Sequence, residues 1–492
     1  MSVIVIGAGL SGLAAACQLA GRGLDVRVIE REIEPGGRAA RLHSHGFSID
    51  TGPTVLTMPG LLDRAFAAVG ADREHDLPLT RLDPAYRAIF ADGTRIDVRA
   101  GVEAMSQEIG RTCSAEDAEA FRSFAEWLER LYRLEMPYFI EADLTSPADL
   151  LSHPAAMAEL VRMGGFSRLG PMVRRRFADD RLHRLFSFQA MYAGLSPAQA
   201  LSIYAVITYM DCVEGVYTCE GGMHAVPRAL ATAAQRAGVR ISYGRRVTAV
   251  LRGDSGRVAG VELSDGTREY ADAVIATGDL PVVYEELLPD VRAPRVVRRG
   301  RYSPSCVVWA LGVRGVPEHA RHHNIHFADD WDGAFDALID GGRLMPDPSR
   351  FVCVPSLSDP GLAPDGHSAL YVLEPVPNLA VGTIDWEREA PAMRARMADF
   401  LIQEGYLSSL EDVVVEDFLT PRDWHRRGMR HGTPFALAHT FFQTGPFRPG
   451  ISAPSVPGMF FAGSGTLPGV GVPMVLISGE LAAAAAARYL GR

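Results

Sequence analysis

Apolar and polar positions are spaced in three ways along this chain, and each spacing predicts a different element. Val3–Ile6 is an unbroken apolar run of strand length, as expected where both faces of a strand are covered. Leu10–Arg22 is rich in Leu and Ala and predicts a helix, closed by Gly21 and Gly23. Asp25–Glu30 alternates and stops on an acid, which predicts a second strand and completes a βαβ unit. Residues 36–100 read as turns and short strands, around paired glycines at 36–37 and a FADG turn at 90–93. From 101 to 235 helical spacing dominates, most clearly in AEDAEAFRSFAEWLERLYRLE, and 151–177 predicts a further helical stretch ending in Arg174-Arg175-Arg176. Residues 239–253 and 257–277 predict strands, with a hairpin at Asp265-Gly266. Strands and proline-rich loops mix over 300–450. Met459–Ala462 predicts a last strand, which runs into a second glycine-rich stretch, GSGTLPGVGVP, and then a helix whose alanine run follows from helix propensity.

Both ends of the chain thus carry a strand, a glycine turn and a helix. The simplest architecture is discontinuous and of the α/β class. A Rossmann-type domain is built from 1–100, 226–290 and 451–492, a helical region from 101–225, and an interleaved α+β domain from 291–450.

Composition narrows the functions this architecture can serve. The 492 residues are 47% hydrophobic and 22% charged, enough for a large core. The formal net charge of -10 argues against nucleic acid as the main partner, since phosphate binding needs an excess of Lys and Arg. It leaves local contact with a membrane surface open. Cysteines 17, 113, 212, 219, 306 and 353 show no CxxC spacing and fit reduced thiols. No signal peptide is expected, because the N-terminus lacks a basic segment and glycines break its apolar run. No uninterrupted apolar run reaches the roughly 18 residues of a membrane span, so a cytoplasmic location is expected.

The first glycine turn carries the first chemistry. In VIVIGAGLSG, Gly7 allows the tight turn, Gly9 lets a pyrophosphate approach the backbone, and Gly12 lets helix and strand pack closely. Leu10 and Ser11 open the helix whose free N–H groups face the phosphate. Glu30 stands where an acid accepts from ribose hydroxyls, which suits FAD or NAD and disfavours NADP. Gly36-Gly37-Arg38 then adds a flexible turn and a guanidinium, which fits a large cofactor held extended. No Ser/His/Asp or paired-carboxylate constellation stands out. The His322-His323-Asn324-Ile325-His326 cluster is read against a metal site, because adjacent histidines should point apart and no carboxylate stands at a ligand spacing.

The GAGLSG turn, the acid followed by Gly-Gly-Arg, and FSIDTGPTV (47–55) together resemble the bacterial carotenoid (phytoene) desaturases, within the flavin amine oxidase superfamily. LHRLFSFQAMYAG, SIYAVITYMDCVEGVYTCEGGMHAVPRAL, PSLSDPGLAPDGHSALYVLEPVPNL and FFAGSGTLPGVGVPMVLISGELAA are similar to segments of that family along most of the chain. The resemblance implies FAD, no nicotinamide, and a long apolar polyene as substrate, with oxygen or a quinone as final electron acceptor. It implies that Gly7, Gly9, Gly12, Glu30, Gly37 and Arg38 hold the ADP half, and that Gly52, Pro53 and Thr54 lie on the flavin side. It also implies that Val247 contacts adenine through its backbone, and that Gly463, Gly465, Val472 and Pro473 line the ribityl chain and ring. Leu467 and Met474 depart from residues common in the family, His and Gly, and so bear on the substrate and the desaturation step.

The activity that follows is desaturation of a carotenoid, with phytoene toward lycopene as the leading case. A hydride would leave to the flavin and a proton from the next carbon. Alternatives are a hydroxycarotenoid 3,4-desaturase, a carotenoid isomerase, an amine oxidase, or a lipid-binding protein on an inactive flavin scaffold. The last is disfavoured because the dinucleotide glycines and Glu30 are all present. Arg184 and Asp211 lie in family-like segments and are read as surface or capping ion pairs rather than channel residues. A polyene dissolves in a bilayer, so peripheral membrane contact is expected, with 151–177 and the arginine run as the docking face.

Overall fold

The computed structural model describes residues 1–492. Its first layer is a five-stranded parallel sheet in the order Met459–Phe461, Ala273–Ala276, β1 (Ser2–Ile6), β2 (Asp25–Ile29), Arg240–Ser242. Val3, Ile4 and Val5 are fully buried, as the continuous apolar run predicts for a strand covered on both faces. Helix α1 (Leu10–Gly21) follows β1 directly, and the C-terminal helix Val472–Tyr489 packs against it. The alanine run does more than favour helix. Ala482, Ala483 and Ala486 are buried in one core with Ala14, Ala15 and Ala16 of α1, and small side chains on both helices allow the close approach.

A three-stranded antiparallel sheet, Val247–Arg252, Val258–Leu263 and Arg268–Tyr270, stands beside this layer. Its last turn contains Asp265-Gly266, where the hairpin is expected, and Gly266 has φ +81°. A seven-stranded sheet forms the second body. Its order is Val413–Leu419, Ser305–Arg314, His367–Val376, Arg350–Cys353, His323–His326, Tyr86–Ile89, Arg95–Val98, with one parallel pair, His323–His326 beside Tyr86–Ile89. The span 1–100 is therefore divided, since its strands at 86–89 and 95–98 belong to the second sheet.

Helices Val102–Thr112 and Ala115–Glu135 cover the second body's flank. The stretch 151–177 is not one helix. Helices Pro154–Arg162 and Leu169–Arg174 are separated at Gly164-Gly165, where Gly164 takes φ +76°. No helix is long and apolar enough to cross a membrane.

Candidate active site

One cavity of about 1190 Å³ runs between the two bodies. It exceeds the roughly 300–1,000 Å³ of a typical small-molecule site, and it has two arms of different chemistry. The first arm lies over the carboxyl end of the parallel sheet, where open α/β sheets place their ligands. Gly7, Gly9, Leu10, Ser11, Glu30, Gly36, Gly37 and Arg38 line it. Gly52, Pro53, Thr54, Val247, Gly463, Val472 and Pro473 line the same cavity, as do Leu467 and Met474.

Gly12 and Gly465 do not reach the cavity. A Cβ on Gly12 would overlap the carbonyl of Gly7, so Gly12 holds α1 against β1, while a Cβ on Gly465 would lie 2.9 Å from that of Leu280. Gly7 adopts φ +104°, a conformation that L side chains disfavour, and Gly52 sits so close to the Arg38 carbonyl that no side chain fits. These bare backbone surfaces form a cradle, with α1's first turn aimed into it. Glu30 is buried, and accepts the Ala8 N–H at 2.6 Å on one oxygen and the Glu32 N–H at 2.9 Å on the other. Each carboxylate oxygen keeps a further lone pair for a ribose hydroxyl. The arm thus has the donor set and the steric openings that an extended dinucleotide requires, so the residues present fit FAD.

Supporting contacts that the sequence did not disclose hold this arm in place. Arg38 donates to Ser464 Oγ and, at 3.4 Å, to Asp279, whose other oxygen accepts the Arg430 N–H at 2.8 Å. Burial works against the charge of both Arg38 and Asp279, lowering the one and raising the other, and their mutual attraction opposes it. Arg448 is buried without a carboxylate. It donates to the backbone carbonyls of Ser464 (2.6 Å), Thr466 (3.0 Å), Leu437 and Gln443, and burial lowers its pKa to about 10. It fixes the loop that carries Gly463. Nothing in the pattern around Arg448 marks it, because it is an isolated arginine in a proline-rich loop.

The second arm is greasy. Phe139, Leu150, Met157, Leu160, Phe166 and Ile203 line its walls, and Phe441 and Phe447 border its outer end. Two acids interrupt this surface. Glu135 ends the helix Ala115–Glu135, where the following turn Met136–Ile140 contains Pro137. Its Oε1 is buried with no partner, and burial alone pushes its pKa well above the carboxylate range. Asp211 also lines the cavity and is buried, and burial pushes it up to about 7.

Asp211 corrects an expectation, because it makes no ion pair. Arg184 behaves as expected. It pairs with Asp180 at 2.6 Å, donates to the Asp329 carbonyl, and does not line the cavity. The arginine run is partly engaged, with Arg175 left exposed. Arg174 pairs with Asp332 at 2.7 Å, and Arg176 lies over the Trp127 ring at 5.1 Å.

The histidine cluster also departs from expectation. The rings of His322 and His323 meet edge-on at 4.4 Å, and with Cys353 their ligand atoms fall within 4.8 Å. The residue preceding a strand is free of the strand's alternation, which is why the two rings converge. His322 Nδ1 bonds Ser358 Oγ at 2.9 Å, while His323 sets its nitrogens against the carbonyls of Ala85 (3.0 Å) and Thr54 (3.2 Å). The cluster therefore ties the second sheet to the Thr54 segment.

Comparison with known proteins agrees with this geometry. The family model for flavin containing amine oxidoreductase matches residues 10–487. A phytoene dehydrogenase from Streptomyces griseus is 47% identical over 98% of this chain and 94% of its own length. A zeta-carotene-forming phytoene desaturase from Myxococcus xanthus is 37% identical over 97% of this chain and 92% of its own. A carotenoid 3,4-desaturase from Haloarcula japonica is 33% identical over 97% and 96%. Among solved structures, an oxidoreductase from Methanosarcina mazei superposes with a TM-score of 0.62 at 17% identity, covering 97% of this chain and 99% of that one. A putrescine oxidase variant superposes at 0.61 and 15%, covering 100% and 99%. At such identities the structural likeness speaks for the fold alone.

Proposed function

The chain belongs to the flavin containing amine oxidoreductases, among the carotenoid desaturases, and is an FAD-dependent oxidoreductase; from that premise we propose that it desaturates phytoene toward lycopene. The observation that carries the reading is the continuity of the two arms, a dinucleotide cradle opening directly into a long apolar channel. FAD, when bound, supplies a two-electron acceptor for hydride. Glu30 would hold the ribose, Gly7, Gly9, Gly37 and Arg38 the pyrophosphate, and the Val247 backbone the adenine. Gly52, Pro53, Thr54, Gly463, Val472 and Pro473 would line the flavin end. The apolar walls orient the polyene along the channel and exclude water from it. Leu467, fully buried, keeps the cavity apolar where a histidine is common in the family.

The substrate would enter from a bilayer, and the channel's outer end has the surface for it. Phe441 and Phe442 are 48% and 73% exposed and form one aromatic cluster with Phe447 and Phe166. Gln443, next in sequence, exchanges hydrogen bonds with the Arg301 backbone at 2.7 and 2.9 Å. This joins the aromatic cluster to the basic turn Arg295–Arg299. Aromatic side chains beside arginines suit an anionic membrane surface, and the cluster shares Phe166 with the 151–177 stretch expected to dock.

Expression in cells that accumulate phytoene tests the function, with pigment read by absorption spectrum. Red polyene is expected. Flavin-loaded protein without any change of pigment would sink the reading.

A further inference from the structure

The structure leaves two carboxylates in the reacting channel without a partner, Glu135 and Asp211, and we propose that Asp211, whose turn is tied to the segment where the two arms meet, is the group that accepts the proton lost during desaturation. The inference rests on the desaturase reading above and adds to it a catalytic residue.

Position comes first. Asp211 lies in a π-helical turn, Tyr209–Glu214, in which the Gly215 N–H reaches back to the Met210 carbonyl at 3.0 Å. Such a turn holds one residue more than an α-helical turn and re-aims the side chains it carries, and π turns recur at functional sites. Both flanks of the turn are fixed. Tyr209 stacks on Tyr132 with ring centroids 4.7 Å apart, and the Cys212 carbonyl accepts the Gly101 N–H at 2.8 Å. The turn leads within six residues to Tyr217, whose N–H bonds the Leu56 carbonyl at 2.8 Å. Leu56 is two residues from Thr54, so the acid is tied to the segment where the polar arm meets the greasy one.

The surroundings come second. Asp211 is 4% exposed and lines the cavity, yet no side chain or backbone N–H bonds its carboxylate, and burial is the sole cause of its raised pKa. Holding an unpaired carboxylate there is costly, and a merely structural position would be better filled by an apolar residue. The titratable groups facing it are Tyr86 and Cys212, buried and held neutral, and Tyr192, a phenol of the cavity lining that is 44% exposed, and no cation is among them. Around the acid stand aromatic rings. Phe188 meets Tyr86 at 5.8 Å, Tyr192 at 5.7 Å and Phe327 at 5.7 Å. Their faces favour the positive charge that develops on an allylic carbon as hydride departs.

The chemistry balances. One carbon loses hydrogen with both bonding electrons as hydride to FAD. The neighbouring carbon loses its hydrogen as a proton to an Asp211 carboxylate oxygen, and the electron pair of that C–H bond becomes the new π bond. The resulting carboxylic acid returns its proton to water between turnovers. A carboxyl that titrates near neutrality is suited to accept and then release a proton at ordinary pH.

The test compares the full chain with Asp211→Asn and Asp211→Glu, each loaded with FAD and given phytoene in liposomes. Asp211→Asn is expected to keep its flavin spectrum and lose roughly 10²–10⁴-fold in turnover, the usual range for a positioned general base. Asp211→Glu should recover part of it. The wild-type rate should rise with pH through about 7, as the carboxyl loses its proton, and the residual Asn rate should be flat. A second readout needs no turnover. A folded-state carboxyl pKa raised above the unfolded value removes stability as pH climbs between the two values, so Asp211→Asn should melt higher than wild type, by more at pH 8 than at pH 5. An Asn variant within threefold of wild-type turnover, or one that melts lower at pH 8, would overturn the assignment while leaving the desaturase reading intact. Wild-type protein inert on every carotenoid offered would instead overturn that reading, and the assignment with it.

Discussion

The two arms of the cavity solve opposite problems. The cofactor arm must grip a charged, hydrogen-bonding molecule, so its surface is bare backbone, a buried carboxylate and a half-buried guanidinium, each with named partners. The substrate arm must pass a molecule with nothing to hydrogen-bond. Its surface is mostly aliphatic and aromatic, and two buried acids in it, Glu135 and Asp211, are conspicuous because nothing pairs with them. Polarity means anchoring in the first arm and reactivity or strain in the second. Substitutions should therefore damage the two arms in different ways.

The largest expected effect is in the cofactor arm. Gly52→Ala places a methyl group into the Arg38 carbonyl, and backbone there cannot yield without moving Arg38 and with it the contacts to Ser464 and Asp279. Overpacking of this kind costs about 1–3 kcal/mol or more. The purified variant should be colourless or insoluble. Yellow protein with wild-type flavin content would show that the cradle is softer than its geometry implies. Next is Glu30→Gln, which keeps the shape and removes the charge behind the ribose contacts. Hydrogen bonds to charged groups contribute about 1.5–3 kcal/mol, so FAD should bind roughly 10–100-fold more weakly in a calorimetric titration. Equal affinity would place the ribose elsewhere.

In the substrate arm the same kind of change should help stability. Glu135 has its pKa raised by burial, so folding holds its proton more tightly than the unfolded chain does, and stability falls as pH rises above the ordinary carboxylate value. Glu135→Gln removes that penalty. The variant should melt higher than wild type, the gap widening from pH 5 to pH 8, while turnover stays within about twofold because neutral Glu and Gln are near in shape. Lower melting at pH 8 would mean that Glu135 makes a charged contact in solution.

How much of each arm could be read in the sequence follows from the same contrast. The pyrophosphate end of the cofactor arm is local. Gly7, Gly9, Glu30 and Arg38 fall within one βαβ unit and its following turn, so spacing along the chain is spacing in the site, although Val247, Gly463 and Val472 join it from far along the chain. The substrate arm is assembled from Glu135, Asp211, Phe441 and other residues scattered far apart along the chain, and no periodicity joins them. Asp211 in particular looked like one acid of a capping pair, because sequence cannot show that a π turn directs it into a cavity. The second sheet was foreseen only as mixed strands, since its parallel pair takes Tyr86–Ile89 from the first hundred residues. The surroundings of the expected docking face are hidden for a related reason. Charge runs are visible in sequence, but Asp332, which pairs with Arg174, is not adjacent to it.

That last point supports the smallest prediction, made on the outer surface. Arg174 is about half exposed and its partner Asp332 more so, and exposed pairs contribute about 0.2–1 kcal/mol. Arg174→Ala should therefore shift melting by only a degree or so and leave liposome binding unchanged. Phe441→Ser together with Phe442→Ser removes aromatic area more than half of which is already in water and should lower melting only modestly, yet liposome flotation should drop severalfold. Turnover of detergent-dispersed phytoene should survive the arginine change, which touches neither arm, whereas the phenylalanine change reaches the channel's outer end through Phe441 and is read by flotation. If the arginine variant loses vesicle binding and the double phenylalanine variant keeps it, the membrane side of the molecule lies at 151–177 after all. The channel's outer end would then open to something other than lipid.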